Sequence, residues 1–450
     1  MQSYVGVASP IDFNGLVRHY SMRNQSNHAD VRVNLLPKAQ RKMASHEIAL
    51  RLRDGVEAIA RTHEAMVNIV EVPPGPPVLA TITAEVYGAP DMSYEKLLDA
   101  AKGLGTRLLA TDKKHVKEVD LLQEPSAERW IFRVDAEKAS AHQITVQEIT
   151  GCLGMALGGV SLGNLSVPDE RQPLSLHLQL AYADRNNVER LKQLSIRGAS
   201  ASVELAELGR FERAAQETPI MHKNLKRVVF VTAEPVGRAP GELILSTISG
   251  TMKHDPLPAG VTVEWAGEGE WEITLRVFRD LGIAFGVAML GILLLLIIQT
   301  RSFRLSLIMM CAIPLTIIGI APGFYLLNSM SSSTVGGYLS PVFFTATGMI
   351  GMIALGGIVI RNSIVLLEFI SEARATGMSL KEAVMKSGAV RFRPIMLTAI
   401  TTLMGAWPIA LDPIFSGLAW ALIFGLIAST VFTMLVIPVI YMLLEKEETV

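Results

Sequence analysis

Arg361 lies where a charged side chain needs a chemical explanation. It falls inside the apolar run 341–370, PVFFTATGMIGMIALGGIVIRNSIVLLEFI, in which Glu368 is the only other ionisable residue. An arginine in the middle of a membrane helix costs roughly 3 kcal/mol on insertion scales, so it faces a protein interior, a partner or a water-filled path. The residue therefore predicts a protein that does work within the bilayer.

The polar residues beside Arg361 admit two interpretations. Asn362 and Ser363 either extend a polar stripe along the helix or, as small polar residues often do, allow close packing between helices. The Arg361 side chain would have to cross about 14 Å of helix rise to reach the cytoplasmic surface, which is too far for its length. We therefore interpret Arg361 as a functional charge.

Other reactive residue types predict no cofactor and no metal site. Cys152 and Cys311 lie on opposite sides of a compositional break near 275, so a disulfide between them is not expected. There is neither a CxxC motif nor a Cys/His cluster, and the stretch GGVSLGNL at 158–165 lacks the pattern of a phosphate loop. Of the 20 methionines, 12 lie in or beside the apolar region, where methionine is ordinary apolar filler.

Composition divides the 450-residue chain into two parts, and its length predicts about three domains. Residues 1–276 are an ordinary soluble mixture with 31 basic and 34 acidic residues, which gives no indication of nucleic-acid binding. The remainder is strongly apolar. Its segments predict five membrane helices, near 277–300, 304–328, 341–370, 394–411 and 416–444.

Positive charges between these segments predict their orientation. Arg301 and Arg304 mark the first joint as cytoplasmic, and the joint 371–394 carries five basic residues against two acidic ones. The joints NSMSSSTVGGY and the turn near Asp412 carry no basic residue. This alternation places the C-terminal tail EKEETV in the cytoplasm and residues 1–276 outside the cell membrane.

The exported soluble part should follow a targeting signal. The start, MQSYVGVASPIDFNGLVRHY, has neither the basic nor the apolar region of a signal peptide. We therefore expect a truncated chain that lacks a preceding membrane segment. An alternative start site or a split gene would give the same pattern.

The soluble part predicts α+β sandwiches, in which helices pack on one face of an antiparallel sheet. Helical spacing occurs at 44–62, 93–110 and 144–159, and strand-like segments occur at 81–88, 129–134, 174–182, 227–237 and 261–268. PPGPP at 73–77 cannot continue a helix or sheet, so it is either a subdomain boundary or an ordinary exposed loop.

Several motifs together resemble resistance-nodulation-division exporters. The block FTATGMIGMIALGGIVIRNSIVLLEFI, a following basic loop, RFRPIMLTAITTLMGAWPIAL and VIPVIYMLL resemble the C-terminal end of these proteins. Upstream, LLPKAQRKMASHEIALRLR, WIFRVDAEKASAHQITVQEI and HKNLKRVVFVTAEPVGR resemble their periplasmic porter and docking regions. The resemblance covers essentially the whole chain in the order of the family.

The resemblance implies a proton-driven antiporter subunit of the Gram-negative inner membrane, not an enzyme. It further implies a homotrimer in the lipid bilayer that works with a periplasmic adaptor protein and an outer-membrane channel to export drugs or other small molecules. Such proteins have two similar halves of six membrane helices. The absent N-terminal half is therefore expected as a further partner, with residues 1–276 in the periplasm.

The same resemblance implies a domain division. Residues 1–77 correspond to part of one porter subdomain, residues 78–124 and 225–275 to a second porter subdomain, residues 125–224 to the docking region, and residues 276–450 to the membrane domain.

The resemblance also assigns residues to a proton relay. Arg361 matches a basic position that is usually lysine, Thr398 a hydroxyl position and Arg391 a polar position near the cytoplasmic mouth, and Asn362 would extend the polar stripe. Arginine stays charged at any working pH, so Arg361 would act as a counter-ion and not as the proton carrier. Thr398 could equally bond its own backbone, and Arg393 is better explained as a charge that sets topology.

The predicted relay is incomplete, because no other apolar segment has Asp, Glu, Lys or His in its middle. Glu368 and Asp412 are expected at the membrane interfaces. The proton-carrying carboxylates are therefore expected outside this chain, and the chain expressed alone is expected not to export.

Three alternatives stay open. The first is a heavy-metal exporter, for copper or silver, which the methionines would suit. The second is a membrane-anchored periplasmic binding or assembly module. The third is a protein-export accessory of the same superfamily, which has a smaller periplasmic part.

Overall fold

The structure, a computed structural model, describes residues 1–22, 25, 27–71, 77–123, 128–168, 170–199, 201–330, 334–412 and 414–444. Most of the PPGPP segment and the tail EKEETV, on which two of the predictions above depend, lie outside these residues. Contacts divide the chain into two compact units, one of Met1–Leu122 and Ile220–Val450 and the other of Gln123–Pro219.

Helices occupy both units. In chain order they are α1 Phe13–Val17, α2 Ser45–Thr62, α3 Tyr94–Thr111, α4 Ala136–Ala141, α5 Val146–Leu157, α6 Tyr182–Arg185, α7 Val188–Lys192, α8 Leu205–Leu208, α9 Pro240–Ser246, α10 Met252–His254, α11 Glu270–Thr300, α12 Phe303–Met310, α13 Pro314–Met330, α14 Ala346–Ala375, α15 Leu380–Ala410 and α16 Ser416–Leu444.

The strands are short and pair in an antiparallel manner. In chain order they are β1 Gln2–Val5, β2 Ala29–Arg32, β3 Ile82–Gly88, β4 Val116–Leu121, β5 Glu128–Val134, β6 Val160–Leu165, β7 Leu174–Leu178, β8 Ser195–Arg197, β9 Ser202–Glu204, β10 Gly209–Ala215, β11 His222–Lys223, β12 Lys226–Pro235, β13 Val261–Glu264, β14 Thr334–Val335 and β15 Tyr338–Leu339.

The first unit contains a five-stranded sheet covered by helices. Its strands follow the order β11-β12-β3-β13, and β4 pairs with β12. The α3 residues Leu97, Leu104 and Leu108 and the α9 residue Leu243 are buried in one cluster with the apolar side chains of this sheet. The predicted antiparallel α+β architecture is therefore confirmed.

The second unit has its own small core. It contains the antiparallel pairs β5/β10, β6/β7 and β8/β9. Ile149 of α5 and Leu205 and Leu208 of α8 are fully buried in its apolar cluster. Within the glycine-rich segment 158–165, Gly158 ends α5 and Val160–Leu165 form strand β6 of a hairpin.

Four helical segments among the described residues are long and apolar enough to cross a membrane, where the sequence predicted five. They are Glu270–Thr300, Phe303–Met330, Ala346–Ala375 and Ser416–Leu444. The second consists of α12 and α13, which are separated by a break before Pro314. A proline lacks the N–H that would continue the preceding helix, which accounts for the break.

The prediction for the fourth segment, 394–411, was wrong in its limits. This segment is the second half of α15, whose first half contains Lys381, Lys386, Arg391 and Arg393. The helix begins early because Ser379 and Glu382 form a reciprocal capping box, in which each side chain accepts from the backbone N–H of the other. The charges at its start leave a shorter apolar stretch than in the other four segments.

Candidate functional site in the membrane helices

Arg361 lies near the middle of α14 and is exposed on the surface of this chain. Among the described residues it has no hydrogen bond and no ion pair. The interior of this chain therefore does not surround and stabilise the Arg361 charge. A partner or a water-filled path remains.

The two residues that follow Arg361 lie on the packed side of α14. Asn362 is buried and Ser363 is fully buried. The Ser363 Oγ lies 3.4 Å from the Val359 carbonyl oxygen, one turn earlier in the same helix. The structure thus places Asn362 and Ser363 between helices and places Arg361 on the opposite, open side.

Thr398 is exposed on α15. Its Oγ1 donates a hydrogen bond of 2.9 Å to the carbonyl oxygen of Ile395 in the same helix. This local bond is common for threonine in helices and needs no partner from another helix. Within the described residues no hydrogen bond joins Thr398 to Arg361, Asn362 or Arg391.

Among the residues that the structure describes, Arg391 is the member of the predicted set that contacts a neighbouring helix through its charged group. Its guanidinium carbon lies 5.1 Å from the centre of the Phe369 ring of α14, which is a cation–π geometry. Its Nε is buried and has no hydrogen-bond partner within the described residues. Nearby, the Ser387 Oγ donates to the Leu366 carbonyl oxygen at 3.1 Å and fixes α15 against α14.

Glu368 is exposed near the end of the predicted run and accepts a hydrogen bond of 2.8 Å from the Gln299 side chain of α11. Gln299 could not be predicted from the sequence, because a single polar residue at the end of an apolar helix carries no signal about its partner. The bond joins α11 to α14 at the level of Glu368.

Small residues place α14 directly against α16. A β-carbon on Gly351 would lie 2.7 Å from the Leu418 carbonyl oxygen, and one on Gly425 would lie 2.2 Å from a methyl carbon of Leu355. Such close approach is typical of membrane helix packing, in which small residues let backbones approach. The helix that carries Arg361 therefore approaches the backbone of α16 at Gly351 and packs its Leu355 side chain against Gly425.

The soluble part of the first unit contains buried charges that were likewise not predicted from the sequence. Arg53 of α2 and Glu118 of β4 form an ion pair with side chains only 6% and 8% exposed. Glu118 also accepts a 3.1 Å hydrogen bond from the Ile69 backbone N–H. Burial raises the pKa of Glu118 to about 7, against the opposing effect of Arg53.

These charges lie near a small polar cavity. Its lining includes Arg18, Asn68, Glu118, Asp120 and Glu234. Arg18 and Glu234 lie 3.7 Å apart at their closest charged atoms, and the Asn68 amide donates to Asp120 at 3.1 Å. In the described ranges no three His, Cys, Asp or Glu side chains come together in a way that could hold a metal ion.

Comparison with known proteins identifies relatives of this chain. A family model described as "AcrB/AcrD/AcrF family" matches residues 4–445. The cobalt-zinc-cadmium resistance protein CzcA of Cupriavidus metallidurans is 26% identical over 343 residues, which cover 74% of this chain and 31% of CzcA. The multidrug resistance protein MdtC of Klebsiella pneumoniae is 27% identical over 325 residues, which cover 69% of this chain and 30% of MdtC.

A solved structure shares the fold. The crystal structure of a heavy metal efflux pump superimposes with a TM-score of 0.69 and 21% identity, over 92% of this chain and 40% of that chain. At this identity the likeness concerns the fold alone. The chain spans about a third of the length of the curated relatives that it matches.

Proposed function

The chain belongs to the AcrB/AcrD/AcrF family of transporters, and from this premise we propose that it forms part of a proton-driven efflux permease for small molecules. The observation that carries the proposal is the exposed Arg361 in the middle of α14. A charge at this depth gains most when an opposite charge faces it from a partner. A carboxylate whose protonation alternates would be such a partner.

In this proposal Arg361 is a fixed counter-ion. Arginine does not lose its proton at any working pH, so it would hold a facing carboxylate ionised and release it when that carboxylate becomes protonated. Arg391 would support the cytoplasmic end of the path through its position beside Phe369. Asn362 and Thr398 have weaker support, because Asn362 faces neighbouring helices and Thr398 bonds its own backbone.

The facing carboxylates are proposed to belong to a second polypeptide segment with its own membrane helices. The remaining partners are proposed from the family: two further copies of the chain, a periplasmic adaptor protein and an outer-membrane channel, in the inner membrane of a Gram-negative bacterium. Residues 1–276 would lie in the periplasm and the C-terminus in the cytoplasm. Because α15 packs against both α14 and α16, we place it in the membrane as well.

The domain assignment is likewise a proposal. Residues 1–77 would be part of one porter subdomain, and residues 78–124 with 225–275 would be a second. Residues 125–224 would be the docking region, which is close to the second compact unit, Gln123–Pro219. The membrane domain would be 276–450.

The test is proton-coupled transport in vesicles. The chain would be purified together with the polypeptide encoded beside it and reconstituted with an internal pH-sensitive dye. We expect Arg361→Ala to reduce substrate-driven proton flux to background. Arg393→Ala is the matched control, since Arg393 is exposed in the first half of α15 and should set topology only.

A conservative variant sharpens this test. Arg361→Lys should keep flux at acidic pH and lose it at alkaline pH, because a lysine at this depth can lose its proton. Unchanged proton flux in Arg361→Ala would remove Arg361 from the mechanism and with it the main support for the proposal.

A second candidate substrate class is divalent heavy-metal cations. It is favoured by the relative named as a cobalt-zinc-cadmium resistance protein. The same vesicles would be supplied with Zn²⁺ or with an organic cation. Proton flux driven by Zn²⁺ alone would assign the chain to metal export.

A further inference from the structure

We propose that the hairpin 334–339, formed by β14 and β15 between α13 and α14, couples α14 mechanically to helix α2 of the soluble part, with Tyr338 and Asp54 as its positioning residues. This inference rests on the proposed function, in which α14 carries the charge of the proton relay. It adds the route by which a change at Arg361 would reach the region that handles substrate.

The hairpin is inserted into the soluble part of the first unit. Tyr338 is 6% exposed and is buried in one cluster with Leu50 of α2 and Val236, both 1% exposed, while Val335 packs against this cluster. The Tyr338 hydroxyl donates a 2.9 Å hydrogen bond to the Asp54 carboxylate of α2. Burial and the Asp54 hydrogen bond raise the pKa of Tyr338 to about 12, so the hydroxyl remains a donor at working pH.

Backbone contacts prevent the hairpin from sliding over α2. Gly336 has a φ of +61°, and a β-carbon there would lie 2.6 Å from the Leu50 carbonyl oxygen. Gly237 follows β12 and has a φ of +72°. A β-carbon on Gly237 would lie 3.0 Å from the Leu339 carbonyl oxygen. Contacts between main chains cannot be relieved by a change of rotamer, so the hairpin and its seat move together.

The membrane end of the loop is equally well fixed. The Asn328 side chain, near the end of α13, donates to the Val342 carbonyl oxygen at 3.0 Å and accepts from the Val342 N–H at 2.9 Å. Val342 also packs against the apolar core of the membrane helices. Residues 340–345 then lead directly into α14. A displacement of α14 therefore reaches the hairpin through a short, tethered connection.

In the soluble part, the connection from the hairpin continues through α2 to the five-stranded sheet. Arg53, the neighbour of Asp54, forms the buried ion pair with Glu118 of β4. Lys117 of the same strand places its Nζ 5.8 Å from the centre of the Tyr338 ring. One turn of α2 thus lies between the hairpin on one side and β4 on the other. This gives the connection two ends, the membrane helix and the five-stranded sheet.

The test uses Tyr338→Phe, which removes the hydroxyl and keeps the ring in its apolar seat. The matched control is Tyr87→Phe on β3, because the Tyr87 hydroxyl also donates to a carboxylate, Glu85, at 2.6 Å but does not touch the hairpin. Both variants would be purified with the neighbouring polypeptide and reconstituted in the vesicle assay described above. Proton flux and substrate efflux would be measured separately.

We expect Tyr338→Phe to lower substrate efflux about tenfold, because a hydrogen bond to a charged acceptor is lost. Proton flux should continue in this variant but should no longer depend on the presence of substrate. Asp54→Asn should retain most of the coupling, because the amide oxygen still accepts the bond, whereas Asp54→Ala should behave like Tyr338→Phe. Equal effects of Tyr338→Phe and Tyr87→Phe, or no effect of either, would overturn the proposal. If Arg361→Ala also left flux unchanged, the proposed function would fail first.

A second measurement does not depend on transport. Amide hydrogen exchange of α2 would be compared between Arg361→Ala and wild type, and again in the Tyr338→Phe background. We expect Arg361→Ala to change exchange in α2 only when Tyr338 is present, which is the signature of energetic coupling in a double-mutant cycle. The same change in both backgrounds would show that the hairpin does not carry the coupling.

Discussion

At the scale of single residues, the fold controls the charge of Glu118. Its side chain lies beside Arg53 with little contact with water. Removing both partners of an ion pair from water costs more than their attraction returns unless further hydrogen bonds compensate. Glu118 has one, from the Ile69 N–H, and burial still raises the pKa of the carboxyl from 4.5 to about 7.

The raised pKa of Glu118 predicts a dependence of stability on pH. Ionisation of Glu118 costs more free energy in the folded state than in the unfolded state. The contribution of the protonated carboxyl to stability is therefore fully present below pH 4.5 and is lost as the pH rises through about 7. We expect Glu118→Gln, relative to wild type, to gain about 2 kcal/mol of stability between pH 5 and pH 8. Thermal midpoints of the two purified proteins at both pH values would measure this.

The control for this prediction is Glu148→Gln at the start of α5. The Thr145 backbone N–H and hydroxyl lower the pKa of the exposed Glu148 carboxyl, so its charged form favours folding. Its removal should reduce stability at pH 8, which is the opposite sign. A pH-independent difference for Glu118→Gln would contradict the assignment of the raised pKa.

Single residues differed in how well the sequence predicted them. Arg361 was predictable because one charge in an apolar run has few explanations, and the structure places it on an exposed face. The Arg53–Glu118 pair was not predictable, since the two residues are 65 positions apart and neither belongs to a motif. Their partnership exists only because α2 packs beside β4.

At the scale of elements, glycines determine how α14 packs. Gly351 lies against the backbone of α16, whereas Gly357 on the same helix has open space where a β-carbon would be. We expect Gly351→Ala to destabilise the membrane domain by about 1–3 kcal/mol, because the added methyl group meets a carbonyl oxygen that cannot rotate away. The thermal midpoint in detergent micelles would measure the loss.

Gly357→Ala is the matched substitution and should be neutral or slightly stabilising, since alanine favours helix more than glycine by up to about 1 kcal/mol. Equal effects of the two substitutions would indicate that α14 and α16 are not in backbone contact.

Elements with local signals were predicted well. The helix expected at 44–62 is α2, Ser45–Thr62, and the strand expected at 81–88 is β3, Ile82–Gly88. The predicted limits of α15 were wrong because the basic residues were assigned to a loop, although the capping box of Ser379 and Glu382 was visible in the sequence. Helical spacing continued through those charges and outweighed their polarity.

At the scale of the whole molecule, the second unit presents an apolar hairpin to its surroundings. Leu174, Leu176 and Leu178 alternate along β7 and are each about half exposed, and Leu165 pairs across from Leu174. Exposed apolar patches of this kind usually mark a contact surface. In the proposed homotrimer, this surface would be covered by another copy of the chain.

We expect Leu176→Ser to weaken self-association of the purified complex by roughly tenfold, because the loss of an apolar side chain from an interface costs about 1–3 kcal/mol. Ser175→Ala, on the opposite face of β7, should leave self-association unchanged. Mass photometry over a dilution series would distinguish them. An unchanged dissociation constant for Leu176→Ser would assign the hairpin to another partner or to solvent.

The exposed position of Arg361 also sets a condition on biosynthesis. A newly inserted chain carries this charge on a surface that lipid can reach, at a cost of roughly 3 kcal/mol. A subunit with an anion at the same depth removes that cost, and one without such an anion retains it. In the proposed permease, this difference would select between partners, because an incorrect partner would leave the Arg361 charge uncovered.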